Sequence, residues 1–342
     1  MRVPAGDEAT VPAVAPTAVP AAMPAAAPRI RYQPRDRDLR GDGALWAVEF
    51  GAQDGPPDPR RIRVGLEPLA GTDLMEVWQA TGPVSTGRLG AVRYAGDGRF
   101  LAGVLELDER DHGSLAAAAR AAYEELCRFQ AGSGAPHLLR IWNYFGGINR
   151  GAGDDERYRQ FCLGRAQGFA GYHGARWPAA TAIGRPDADP TLQIYWLAGR
   201  DPGRPLENPR QVNACLYPRQ YGPAAPTFSR AMLVGTRCLL ISGTASILGH
   251  ASHHPGDIAR QLQETLDNLA SLTRAGSTAA PGLQPRLTGG SLLKIYLREA
   301  AAVAEVERLL APRLPAGLRY LILEAEVCRR ELLVEIDCVH GD

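Results

Sequence analysis

The chain has 342 residues, 45% hydrophobic and 22% charged, with 38 basic side chains against 37 acidic ones and a net charge of +1. This describes a folded globular protein long enough for two domains, and it excludes the charge bias of a nucleic-acid or membrane-surface binder. Lys294 is the only lysine, so cationic sites here are guanidinium sites, suited to planar carboxylates.

Residues 1–28 are rich in Pro and Ala, with charges at Asp7 and Glu8. They predict a disordered tail rather than a signal peptide. No apolar run approaches the ~20 residues of a membrane helix. Beyond the tail one plan occurs twice. In the first half, 91–107 reads as strand, glycine turn, strand. A helix follows over 113–134, starting after Ser114, then a strand over 137–145, a helix over 155–169 and a strand over 191–199. In the second half, 236–249 is a strand region. A helix opened by Asp257 and closed by Gly276 covers 257–276, followed by a strand at 291–299, a helix at 301–315 and strands at 318–327 and 331–337. The expected fold is α+β: two units, 29–200 and 201–342, each a mixed sheet with long helices packed on one face. A cleft between such units is a natural ligand site.

Cys127, Cys162, Cys215, Cys238, Cys328 and Cys338 form no C-x-x-C pair and have no histidine at zinc-ligand spacing. A reduced, cytoplasmic protein fits. The single histidine cluster, His250, His253 and His254, lacks obvious carboxylate or thiolate partners for a metal. The last predicted strand, "ELLVEID", sets Leu332, Val334 and Ile336 on one face and Leu333 and Glu335 on the other. Glu335 therefore either meets water or occupies a pocket that uses an acid.

The second half, through "GDIARQLQETLDNLASLTRAG", "LLKIYLRE" and "LLVEID", resembles the RidA/YjgF family. Residues 140–169, 214–232, 241–250 and 328–337 further resemble the chorismatases, a RidA-like branch, and the match spans about 90–338. The resemblance implies an enzyme that cleaves the enolpyruvyl ether of chorismate and releases pyruvate, with no metal or cofactor, and with neither nucleic acid nor membrane as partner. It implies substrate contacts from Tyr158, Arg165, Tyr217 and Arg230, and a general acid at Glu335. Monomer and homo-oligomer both remain open.

The chemistry agrees. Chorismate carries two carboxylates, which two arginines can grip while tyrosine hydroxyls orient the ring. Tyr158 and Arg165 are seven apart and share a helix face. Arg165 could instead form surface ion pairs, Tyr217 could plug a loop, and Arg230 could brace backbone carbonyls. A shielded Glu335 beside a dianion has its pKa raised and can serve as a general acid. Otherwise it is a rim glutamate paired with Arg329 or Arg330. By resemblance, Gly243 in "ISGTAS" and Cys328, seven before Glu335, mark the 3-hydroxybenzoate-forming type, in which the C4 hydroxyl displaces the side chain. The hydrolytic type, which makes a dihydroxycyclohexadiene carboxylate, carries alanine at the glycine position. A third type makes 3- and 4-hydroxybenzoate together. A structural bend at Gly243 and simple filling at Cys328 are the plain readings of those two residues. RidA deaminases bind a carboxylate through an arginine where this chain has Arg319 or Tyr320, which weakens an enamine/imine deaminase reading. A non-catalytic module that holds an aromatic acid is the third hypothesis.

Overall fold

The computed structural model describes residues 27–39, 43–51, 58–172, 177–187 and 189–341. The expected tail thus lies outside the described residues except for its last two positions.

Two sheets carry the helices. The first has six strands in the order Ala179–Arg185, His137–Gly146, Thr191–Gly199, Phe100–Asp108, Val92–Gly96, Ser85–Leu89. Helices α1 (Leu115–Gly132) and α2 (Arg157–Gly168) cover one face. The second has seven strands in the order Arg204–Leu206, Ala231–Val234, Cys238–Ala245, Val334–Gly341, Leu292–Leu297, Arg319–Glu324, Pro68–Ala70. Helices α3 (Ile258–Ala279) and α4 (Val303–Leu310) cover it. Each sheet contains one parallel crossover: His137–Gly146 through α2 to Ala179–Arg185, and Leu292–Leu297 through α4 to Arg319–Glu324. Read from Ala179–Arg185 and from Arg319–Glu324, the two strand orders coincide, and Pro68–Ala70 is an addition beyond the latter. The fold is α+β, with two units that share one strand order.

The uncovered faces meet. Strand alternation turns Trp142, Tyr195 and Leu197 of the first sheet toward Leu240, Tyr296 and Leu323 of the second. Their neighbours Ile141, Phe145 and Ile194 pack beneath α1 and α2. A third sheet, ordered Arg29–Pro34, Leu74–Gln79, Ala44–Phe50, Arg61–Val64, adds Trp46 and Trp78 to the shared core. The sequence expectations contain no element before residue 91, and this sheet is the largest departure from them.

Local chemistry sets the helix positions. The Ser114 hydroxyl accepts from the Ala117 amide at 3.2 Å and starts α1. Alanines on α1 and glycines on α2 then let the two backbones approach. A Cβ added at Gly168 would lie 2.6 Å from the Arg120 carbonyl oxygen, and one at Gly164 would overlap the Ala116 carbonyl. Gly164→Ala should therefore destabilise the protein by about 1–3 kcal/mol despite better helix propensity, because a backbone must shift. Urea titration checks it. Asp257 caps α3 as expected, accepting from the Arg260 amide at 3.0 Å. The helix does not stop at Gly276 but runs on to Ala279; the glycine is where α3 presses on Leu239. The last strand begins at Val334 rather than at residue 331. Arg298 bonds the carbonyls of Val327, Arg329 and Leu332, and Gln261 of α3 bonds the backbone of Glu331 and Leu333. Those backbone groups are thus taken by side chains. Among the described residues no helix is long and apolar enough to cross a membrane.

Candidate active site

A cavity of about 380 Å³ opens between the units. Its walls are α2, the first-unit edge strand Ala179–Arg185, the second-unit strands Cys238–Ala245 and Val334–Gly341, and the segment 211–230. All seven residues singled out in the sequence line it: Tyr158, Arg165, Tyr217, Arg230, Gly243, Cys328 and Glu335. Ala179–Arg185 was not among the expected strands. Its position follows from parallel pairing to His137–Gly146, with Ala179 bridging to Ser229 across the unit boundary.

On the last strand, Val334 and Ile336 point under the helices, which leaves Glu335 and Asp337 on the inner face. Glu335 is 4% exposed. Burial, and then the neighbouring Asp337, push its carboxyl up to about 8, against the pull of Arg140 and Arg230. The Cys328 thiol lies 4.0 Å from Oε2. Pairing with Arg329 or Arg330 is absent. Arg329 bonds the His250 carbonyl at 2.9 Å and lies over the Tyr221 ring, while Arg330 bonds the carbonyls of Asn149 and Gly151.

The arginines are buried and held. Arg165 donates from Nη2 to the Thr227 carbonyl at 3.1 Å and lies against Tyr123 and Phe169. Arg230 donates from Nη2 to the Val212 carbonyl at 2.9 Å and to the Tyr217 hydroxyl at 2.7 Å. Arg230 thus does brace its loop, and it fixes Tyr217 in doing so. The Nε atoms of both arginines are buried without a protein acceptor. A buried donor of this kind is costly unless something bonds it. Burial raises the Tyr158 hydroxyl well above the ordinary phenol value, so it is a neutral donor near Glu335 and Cys328.

Gly243 sits in a bulge. Ile241 pairs with Cys338, but the next pair is Thr244 with Ile336. Its amide donates to Thr181 Oγ1 at 2.9 Å, and an added Cβ would lie 2.8 Å from Glu335 Cδ. The bend and the proximity to the acid are one feature.

Sequence reasoning missed the charges behind the acid. Arg140, 1% exposed, lies 3.4 Å from Asp337 Oδ2 and bonds Thr181 and the Ile241 carbonyl. Lys294 is 3.0 Å from Glu76 and 3.9 Å from Asp337. An arginine in "LLRIWNYF" and a lysine in "LLKIYL", each amid apolar strand residues, were the signals available. Arg319 and Tyr320 lie elsewhere, bonding the Tyr32 carbonyl and Glu307. The His250 ring faces the Tyr221 hydroxyl at 3.0 Å, and among the described residues no cluster of His, Cys, Asp or Glu is placed to hold a metal.

Known proteins resemble this chain in sequence and in fold. A family model described as chorismatase FkbO/Hyg5-like, N-terminal, matches residues 76–198. A protein of Streptomyces hygroscopicus named chorismatase is 35% identical over 317 residues, which is 88% of this chain and 90% of that protein. Another from the same organism, named 3-hydroxybenzoate synthase, is 35% identical over 279 residues, 77% of this chain and 80% of that one. A chorismatase crystal structure superposes with a TM-score of 0.82 at 32% identity, covering 93% of this chain and 100% of that one.

Proposed function

This chain belongs to the chorismatase family, and from that premise we propose that it cleaves chorismate to 3-hydroxybenzoate and pyruvate. The observation that carries the reading is Glu335, a buried acid held near pH 8 in a cavity that also presents Arg165 and Arg230. The arginines take the two carboxylates, and Tyr158 and Tyr217 orient the ring. Glu335 protonates the methylene carbon of the enol ether, which leaves an oxocarbenium ion and a carboxylate. The C4 hydroxyl oxygen attacks C3 and gives its proton to Glu335. The C3–O bond breaks, and its electrons form the ketone of pyruvate. Opening of the C4–O bond with loss of the C3 proton restores aromaticity. One chorismate thus yields one of each product, no water is consumed, and the acid is regenerated.

Incubation with chorismate, with pyruvate followed through lactate dehydrogenase, tests the activity; no pyruvate above the uncatalysed background sinks it. With oxygen-18 in the C4 hydroxyl of chorismate, the ring hydroxyl of 3-hydroxybenzoate should keep the label, because that oxygen is the one that attacks C3. Dihydroxycyclohexadiene carboxylate among the products supports the hydrolytic route instead. Recovery of 4-hydroxybenzoate as well marks the mixed type. Tight binding of 3-hydroxybenzoate without turnover marks a binding module.

A further inference from the structure

Asp337 follows Glu335 by two residues on the same strand face, is 3% exposed, and does not line the cavity. Its Oδ2 accepts from the Tyr296 hydroxyl at 2.9 Å and the Trp142 indole at 3.0 Å, with the Thr181 hydroxyl and Arg140 Nη2 at 3.4 Å. Lys294 stands on the other oxygen. Asp337 is thus fastened on several sides, yet it is not part of the cavity wall.

The charges close into a balanced set. Lys294 also pairs with Glu76, whose other oxygen accepts from the Trp78 indole at 2.6 Å. Burial opposes the charge on Lys294, but Asp337 and Glu76 outweigh it and raise its pKa. This cluster therefore sets two cations, Arg140 and Lys294, against two anions, Asp337 and Glu76. Tyr144, Tyr195 and Tyr296, which face the cluster from the neighbouring strands, are kept neutral by burial. The Tyr158 phenol and the Cys328 thiol near Glu335 are likewise kept neutral by burial. Arg230 is the remaining cation acting on the acid. An ionised Glu335 would be a second carboxylate on that strand face, answered only by Arg140, already paired with Asp337, and by Arg230, already bonded to Val212 and Tyr217, and a charge at such depth is costly.

We propose that Asp337 is a positioning residue for the acid, a fixed negative charge, clamped by Arg140, Trp142 and Tyr296, whose repulsion favours the return of the C4 hydroxyl proton to Glu335 in each turnover. This rests on Glu335 being the acid. Once its proton has gone to the substrate, Glu335 is a carboxylate beside a carboxylate, and the repulsion makes it a strong base toward the C4 hydroxyl.

The test is Asp337→Asn, which keeps the side-chain shape and removes the charge. The infrared carbonyl band of protonated Glu335, identified by its loss in Glu335→Gln, should titrate away at least about one pH unit lower than in the wild type. The basic limb of kcat/KM should move with it. Activity lowered equally at every pH, with the band unmoved, means a merely structural role and overturns the proposal. Should Asp337→Asn not fold, Tyr296→Phe decides. It keeps the charge but removes a donor that damps it, so the band should move up; an unchanged or lower position overturns the proposal. The infrared titration needs no substrate. If the wild type releases no pyruvate from chorismate, the functional reading fails and the Asp337 claim is still judged separately.

Discussion

Replacing Glu335 by glutamine is expected to lower kcat/KM by about 10²–10⁴-fold while making the protein more stable at alkaline pH. The two effects share one cause. The carboxyl is buried, sits beside Asp337, and has Cys328 Sγ as a weak contact at 4.0 Å, so glutamine fills its space without breaking a strong bond. What is lost is the proton donor. The stability side follows from linkage. A folded value of about 8 lies above an unfolded carboxyl near ~4.3, so the protonated form favours the fold. That contribution is complete below about pH 4.3 and is lost as pH rises to about 8. Above that range the wild type carries a penalty on the order of a few kcal/mol, which glutamine, uncharged throughout, does not. Urea titrations should show the variant gaining on the wild type between pH 5 and pH 9. In the wild type, kcat/KM should be flat below about pH 8 and fall tenfold per unit above it, because the protonated carboxyl is the working form. Full turnover by Glu335→Gln removes Glu335 as the acid.

The legible part of the molecule was the part whose signals are local. Ser114 and Asp257 mark helix starts, and both cap as expected. Thr191–Gly199 alternates between two cores, and its bounds match the expected strand. The seven cavity residues were legible only as long motifs, for no spacing in the sequence brings position 158 to position 335. Three features were hidden. Gly276 carries a stop signal, yet the pressing of α3 onto Leu239 uses the same absent side chain for packing. Ala44–Phe50 is buried at every position, so it lacks the alternation of a half-exposed strand. The Arg140–Asp337 pair spans nearly two hundred residues, and each partner alone reads as a charge in a strand.

The repeat explains why the acid occurs once. Trp142 pairs with Tyr195 and Arg140 with Leu197 in the first unit, as Tyr296 pairs with Glu335 and Lys294 with Asp337 in the second. The cations of the two central strands are equivalent, arginine in one and lysine in the other. The adjacent strands have diverged: tyrosine and leucine stand where the second unit has its two carboxylates. Asp337 thus serves both cations, and one unit's chemistry is completed by the other's charge.

Gly243→Ala is the second large effect, and it bears on which product forms. The φ of Gly243 is not left-handed, so alanine meets no backbone strain there. The new methyl would lie 3.3 Å from Thr181 Cγ2 and overlap the Glu335 carboxyl, which is the free end of a flexible side chain. The sheet can therefore keep its bulge while the acid swings away, and the melting temperature should change little. Moving a catalytic group by about 1 Å costs up to about 10²-fold, so kcat/KM should fall by about 10–100-fold. The turnover that remains should also change character. A displaced Glu335 no longer takes the proton of the C4 hydroxyl as that oxygen attacks, and the oxocarbenium ion then lasts long enough to meet water. The products should then include dihydroxycyclohexadiene carboxylate, with oxygen-18 from the water entering the released pyruvate and not the ring. Unchanged rate with 3-hydroxybenzoate alone would mean that the contact between Gly243 and Glu335 does not steer the reaction, and the product assignment would lose its physical basis.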